Sequence, residues 1–203
     1  MFHLIGVDHS LAQRKKRGLA LTEVQRRFQL VVESAIQSIH PDLLAEEDHP
    51  SYLAEDEADS ILLPIAEHQK IPHIFVEADR ATQASLGYKN LDMLNGLLVA
   101  RGISSAVIAN AHKFAHQFPI RERYWLRQLS KIQASNILLI FGDHHFTTVI
   151  AQLTASHIPY SIFAERVGIV STDTVEYQGL QYAKDNNMFG QTDCFCLEDS
   201  GRV

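Results

Sequence analysis

The sequence predicts a layered α/β fold in which a parallel-rich central sheet is flanked by helices. Three observations lead to it. Five short segments rich in Ile, Leu, Val and Phe lack strict alternation, which is the pattern of strands buried on both faces of a parallel sheet. Stretches with apolar residues three or four apart lie between them. The two kinds of segment alternate along the chain, as they do in layered α/β folds.

The expected strands are 2–8, 42–46, 73–78, 136–142 and 160–163. The clearest helix is 22–40, with Val24, Phe28, Val31, Ala35 and Ile39 on one face. Thr22 and Gln25 form a capping-box pair at its start, and Pro41 stops it. Further helices are expected over 60–68, 90–101, 104–116, 122–132 and 147–155. Apolar anchors thin out after Val170, so the reading is one domain over 1–170 and a polar appendage over 171–203.

Two charge runs stand apart. Arg14 to Arg17 reads Arg-Lys-Lys-Arg, and Glu46 to Asp59 holds seven acids and no Lys or Arg. Both are expected to be solvated loop surface. The acidic run is also the place where a protein partner could dock.

Composition narrows the classes. Of 203 residues, 46% are apolar and 21% charged, which suits one domain with a sizeable core. The formal net charge is −6 and no basic cluster persists, which argues against a nucleic-acid partner. No apolar run approaches the roughly 18 residues of a membrane span, and the N-terminus lacks the pattern of a signal peptide. A cytoplasmic location is expected, with Cys194 and Cys196 as reduced thiols.

In open α/β sheets, ligands bind beyond the carboxyl ends of the strands. The expected strands end in Gly6-Val7-Asp8-His9, Glu46-Glu47-Asp48, Glu77-Ala78-Asp79-Arg80, Gly142-Asp143-His144-His145 and Ala164-Glu165-Arg166. Two of these are Gly-x-x-His. A glycine lets another group approach the strand end closely, and the His that follows can reach back over it. Two such elements could bring His9 and His145 to one point. With Glu46 or Glu47, and Asp8 or Asp143, they offer imidazole and carboxylate donors suited to Zn, Mn, Fe or Co. Glu77 and Arg80 read either as site residues or as an ion pair at a strand end.

These motifs resemble the Tiki/TraB superfamily, with its erythromycin-esterase-like and ChaN-like branches. The resemblance continues in Asp42-Leu43-Leu44-Ala45-Glu46-Glu47, in Arg121-Glu122-Arg123-Tyr124-Trp125, and in Ile137 to His145 with its following helix. It covers about 2–167 and implies a parallel-rich fold and a hydrolytic site at Gly6, His9, Glu46 or Glu47, Arg121, Gly142 and His145. It also implies differing activities: metal-dependent proteolysis, metal-free ester hydrolysis with His and Glu, or haem binding.

The leading expectation is a metal-dependent hydrolase of a peptide or small-molecule ester. His9 and His145, completed by Glu46 or Glu47 and by Asp8 or Asp143, would hold the ion, and its bound water would be the nucleophile. Glu46, Glu47 or Glu77 would take the proton, and Arg121 or Arg80 would stabilise the oxyanion. The alternatives are a metal-free His/Glu hydrolase and a ligand-binding or signalling module. Three geometric expectations follow. His9 and His145 share one site, Glu46 is more buried than Glu47 and faces that site, and Arg121 pairs with a strand-end carboxylate.

Overall fold

The computed structural model describes residues 1–8, 13–100, 102, 105–169, 171 and 173–189. Five strands form one parallel sheet: β1 (Phe2–Val7), β3 (Leu43–Glu46), β5 (His73–Phe75), β6 (Ile137–Gly142) and β7 (Tyr160–Val167). Their order is β5-β3-β6-β1-β7. The late strand β6 therefore sits between β3 and β1, with Glu46 beside Ile140 and Val7 beside Gly142. That insertion brings the carboxyl ends of the first, second and fourth expected strands together.

Strand alternation assigns side chains to two cores. On one face, Leu4, Leu43, Ala45, Leu139 and Phe141 pack against Trp125, Val149 and Leu153, which come from α7 (Phe118–Ser130) and α8 (Phe146–Ala155). On the other, Ile5, Leu44, Leu138 and Ile140 pack against Phe28, Val32, Leu62 and Ile65 from α1 (Glu23–Ile39) and α3 (Leu62–Gln69). The capping box of α1 forms as expected, and His40 closes the helix in the left-handed region at φ 51° before Pro41.

The two charge runs meet each other and are not loose loops. Arg14–Lys16 is a short strand, β2, paired antiparallel with β4 (Ala58–Ser60). Arg14 grips the buried Asp48 with Nε and Nη2, both at 2.8 Å, and also reaches Asp56. The acidic stretch additionally forms α2 (Pro50–Glu55). Opposite charge, invisible when each run is read alone, pins this excursion to the sheet.

Two shorter helices, α4 (Arg80–Ser85) and α5 (Leu91–Val99), precede α6 (Ala106–His112). A π-helical turn, Lys113–Gln117, joins α6 to α7. Pro119 has no N–H to continue an ordinary ladder, and a π turn is a usual way to absorb such a break. Part of the expected appendage is a docked helix, α9 (Val175–Asp185). It lies so close to α6 that a Cβ on Gly179 would come within 2.6 Å of Asn110 Cβ. Among the described residues, no helix is long and apolar enough to cross a membrane.

Gly6 is required by packing. A Cβ there would come within 2.0 Å of the edge of the Phe146 ring and lie 2.9 Å from Asp143 Oδ1. The close approach that the sequence suggested for a ligand is made by α8. Gly6→Ala is expected to lower stability by about 1–3 kcal/mol through overpacking, read from urea unfolding; an unchanged midpoint would mean the ring moves aside freely.

Candidate active site

The sheet's carboxyl edge carries a buried charged network on the α7/α8 face. Glu47 follows β3 and continues its ladder, donating its backbone N–H to Ile140 O at 2.9 Å. Because Leu43, Ala45 and Glu47 alternate with Leu44 and Glu46, Glu47 faces Trp125 and α7. Its Oε2 accepts from Gly142 N at 2.7 Å. Its Oε1 accepts from Arg121 Nη2 at 2.7 Å and lies 3.2 Å from His145 Nε2.

Arg121 is the hub. Its Nε donates to Glu77 Oε2 at 2.8 Å, and Nη2 also reaches that carboxylate. Trp125 Nε1 donates to the same oxygen at 3.2 Å, while Gln83 Nε2 and Ala78 N donate to Glu77 Oε1, both at 2.9 Å. The guanidinium lies over the rings of Trp125, Tyr88 and Phe118, 5.4–5.6 Å from their centroids. Its side chain is 15% exposed, against 6% for Glu47 and 2% for Glu77. Solvent therefore meets this network first at Arg121.

His145 sits between two carboxylates. Glu122 Oε1 is 2.7 Å from its Nδ1, and Glu122 is itself held by Thr148 and by Gln152 Nε2 at 2.6 Å. The ring stacks on Phe118 at 3.7 Å between centroids and touches Trp125 at 4.8 Å. Burial disfavours the imidazolium, but the Glu47 charge and the bonds to Glu122 and Glu47 outweigh it, so the pKa is raised above the ordinary 6.5. Arg121 follows the same logic. Burial opposes its charge, and Glu77 and Glu47 hold it on. His144 moves the opposite way, lowered by burial and by the neighbouring His145.

A raised folded-state pKa has a definite sign. The stabilisation from charged His145 is fully present below the unfolded value and is lost as pH rises through the folded value. Urea unfolding across pH 5–9 (about that range) should show this loss for the native chain and not for His145→Gln; parallel curves would remove the imidazolium from the account.

The positions expected from sequence divide sharply. Glu47, Glu77, Arg121, Gly142 and His145 come together. Arg121 reaches carboxylates, but not from a helix start: α6, the π turn and α7 form one continuous rod, so no dipole penalty at an N-terminus drives the pairing. Glu46 is the more buried of the two glutamates, at 0% against 5%, yet it faces away from His145. It accepts from Gln13 Nε2 at 2.9 Å and Ser60 Oγ at 2.7 Å, and contacts His73 Nε2 at 2.9 Å. The assignment of Glu46 to the His145 site is thus corrected by one residue of register. Arg80 is also corrected: it pairs with Glu55 at the surface, not with Glu77.

Asp143 receives Arg166 N at 2.8 Å and the Tyr177 hydroxyl at 2.9 Å. It ties β7 and α9 to the end of β6. Asp8, with Gly142, His144 and Tyr177, lines a cleft of about 340 Å³ beyond the ends of β1 and β6. His9 lies outside the described residues, and with it the expected meeting of His9 and His145.

Sequence reading missed Glu122, Trp125, Thr148 and Gln152 as network members. The signal was a polar set at helical spacing on otherwise apolar faces: 122 beside 118 and 125 on α7, and 148 and 152 four apart on α8.

Among the described residues, no group of three or more His, Cys, Asp and Glu is arranged to hold a metal ion. The donor chemistry explains this: both His145 nitrogens lie against carboxylates, and Glu47 and Glu77 are bonded to a guanidinium. The expected Zn, Mn, Co or Fe ion also draws on His9, which lies outside the described residues. No family model, curated protein or solved structure matches the chain.

Proposed function

We propose that the chain is a hydrolase that cleaves an ester or amide bond by metal-independent acid–base chemistry at the Glu47–His145 pair. One observation carries the reading: three carboxylates, a guanidinium and an imidazole bonded together at the carboxyl ends of parallel strands. Such a cluster is a poor route to stability, because apolar packing of equal volume usually does as well or better. Buried groups with shifted titration concentrate at functional sites, and this edge of an α/β sheet is where ligands bind. Glu47, Arg121, Gly142 and His145 are also positions on which the Tiki/TraB resemblance rests, which supports the same reading.

The chemistry follows from the bonding. Glu47 takes a proton from the attacking water. Arg121, the member nearest solvent, stabilises negative charge on the tetrahedral intermediate. His145, charged and oriented by Glu122, gives its proton to the leaving group. The proton on Glu47 then passes to His145 Nε2 and restores the starting state. Water is consumed, and acid and alcohol (or amine) are released.

The test is turnover of a panel of aryl esters, alkyl esters and short peptides by purified protein, before and after treatment with a chelator. Hydrolysis that survives the chelator is expected. No turnover on any substrate would favour a binding module, and chelator-sensitive turnover restored by a transition metal would favour metal-dependent hydrolysis; either overturns the proposal.

A further inference from the structure

On the α1/α3 side of the molecule, the excursion formed by β2, α2, β4 and α3 borders a half-open pocket of about 550 Å³. That size falls within the range of small-molecule sites. We propose that it binds an amphiphilic carboxylate, with the apolar chain inside and the carboxylate head at Lys15 and Arg17.

The interior selects an apolar body. Its walls include Leu53, Ala58, Ile61, Ile65 and Phe75. The uncharged polar side chains that line it, Ser60 and Gln29, already have partners. Ser60 Oγ donates to Glu46 and accepts from the backbone N–H groups of Leu62 and Leu63. Gln29 Nε2 donates to Glu33 at 2.8 Å. A sugar or nucleobase, which needs several hydrogen-bond partners, would leave its own groups unmatched here.

The charge lies with β2. Lys15 lies on β2 and Arg17 in the turn that follows it, and both line the pocket. The one acid among the lining residues is Asp59, whose Oδ1 is 3.2 Å from Arg17 Nε. Lys15 has no ion pair among the described residues. Two cations against one carboxylate leave a positive site on a chain whose formal net charge is −6, and such a site attracts an anionic head. This inference is independent of the hydrolase reading, whose cluster lies on the opposite face of the sheet.

Calorimetric titration with dodecanoate, below its aggregation concentration, tests the proposal, with dodecyltrimethylammonium as the cationic counterpart. Saturable binding of dodecanoate is expected, without competition from the ammonium amphiphile. Lys15→Glu should weaken it about tenfold or more. Ala54→Trp, at an exposed lining position on α2, should abolish it by filling the pocket. Leu63→Asp, on the partly exposed wall of α3, gives a second block should the Trp variant fail to fold, by setting a negative charge in the apolar wall against the carboxylate amphiphile. Absence of saturable binding, equal binding of the cationic amphiphile, or full affinity in the obstructed variants would each overturn the assignment.

Discussion

Arg121→Met is expected to lower stability by about 3–5 kcal/mol, the range for removing one partner of a buried ion pair. The reason is what stays behind. Glu77 and Glu47, 2% and 6% exposed at their side chains, lose their shared cation. Trp125 Nε1, Gln83 and Gly142 N still donate to them, but those neutral donors do not replace a full charge. Lowering the pH towards the ordinary carboxylate range should recover part of the loss, because protonation relieves the unpaired charge. Arg80→Met is the matched comparison: its pair with Glu55 is 73% and 49% exposed, and a solvent-screened pair of this kind contributes little, so a much smaller loss is expected. Urea unfolding of both variants decides the matter. Equal, small losses would mean that the buried network relaxes or admits water.

All five central strands were legible in the sequence because each is a compact apolar run; burial on both faces removes the alternation from β1, β3 and β6, while the edge strands β5 and β7 are apolar runs that the fold covers only in part. Their lateral order was not. Nothing local in Ile137–Gly142 says that it inserts between β3 and β1, although that insertion is what sets His145 beside Glu47. Helix α1 announced itself through Thr22, Gln25 and a regular apolar face. Helix α2 did not, because its six residues lie inside an acidic run whose partner, Arg14, is 34 residues away from Asp48. Arg121 was found through the wrong cause. Its pairing comes from a continuous α6–π–α7 rod that sets it over the strand ends, and the π turn could not be read from Lys113–Gln117. The remaining network residues stand in sequence as polar positions on otherwise apolar helix faces, which does not say what they bond. Only the packing of α7 against α8 turns Glu122, Thr148 and Gln152 inward.

Glu47→Gln should reduce turnover by about 10²–10⁴-fold, the usual contribution of a general base, whereas Glu46→Gln should leave it close to native. The two residues are neighbours in sequence, both buried, and both bonded by three side-chain or backbone donors, so the two substitutions carry similar structural risk. In each case an amide N–H replaces an acceptor: against Gly142 N or Arg121 at position 47, and against Gln13, Ser60 or His73 at position 46. Each is expected to cost about 1–3 kcal/mol of stability for that mismatch. Activity must therefore be measured well below the unfolding transition of both, with the fold checked by far-UV circular dichroism. Strand alternation alone separates them, since it sends Glu47 to His145 and Glu46 to the far side of the sheet. A structural role for position 47 would lower turnover only in proportion to the unfolded fraction and would do the same at position 46. Equal losses in the two folded variants would therefore sink the acid–base role of Glu47, and loss confined to Glu46→Gln would place the chemistry on the opposite face.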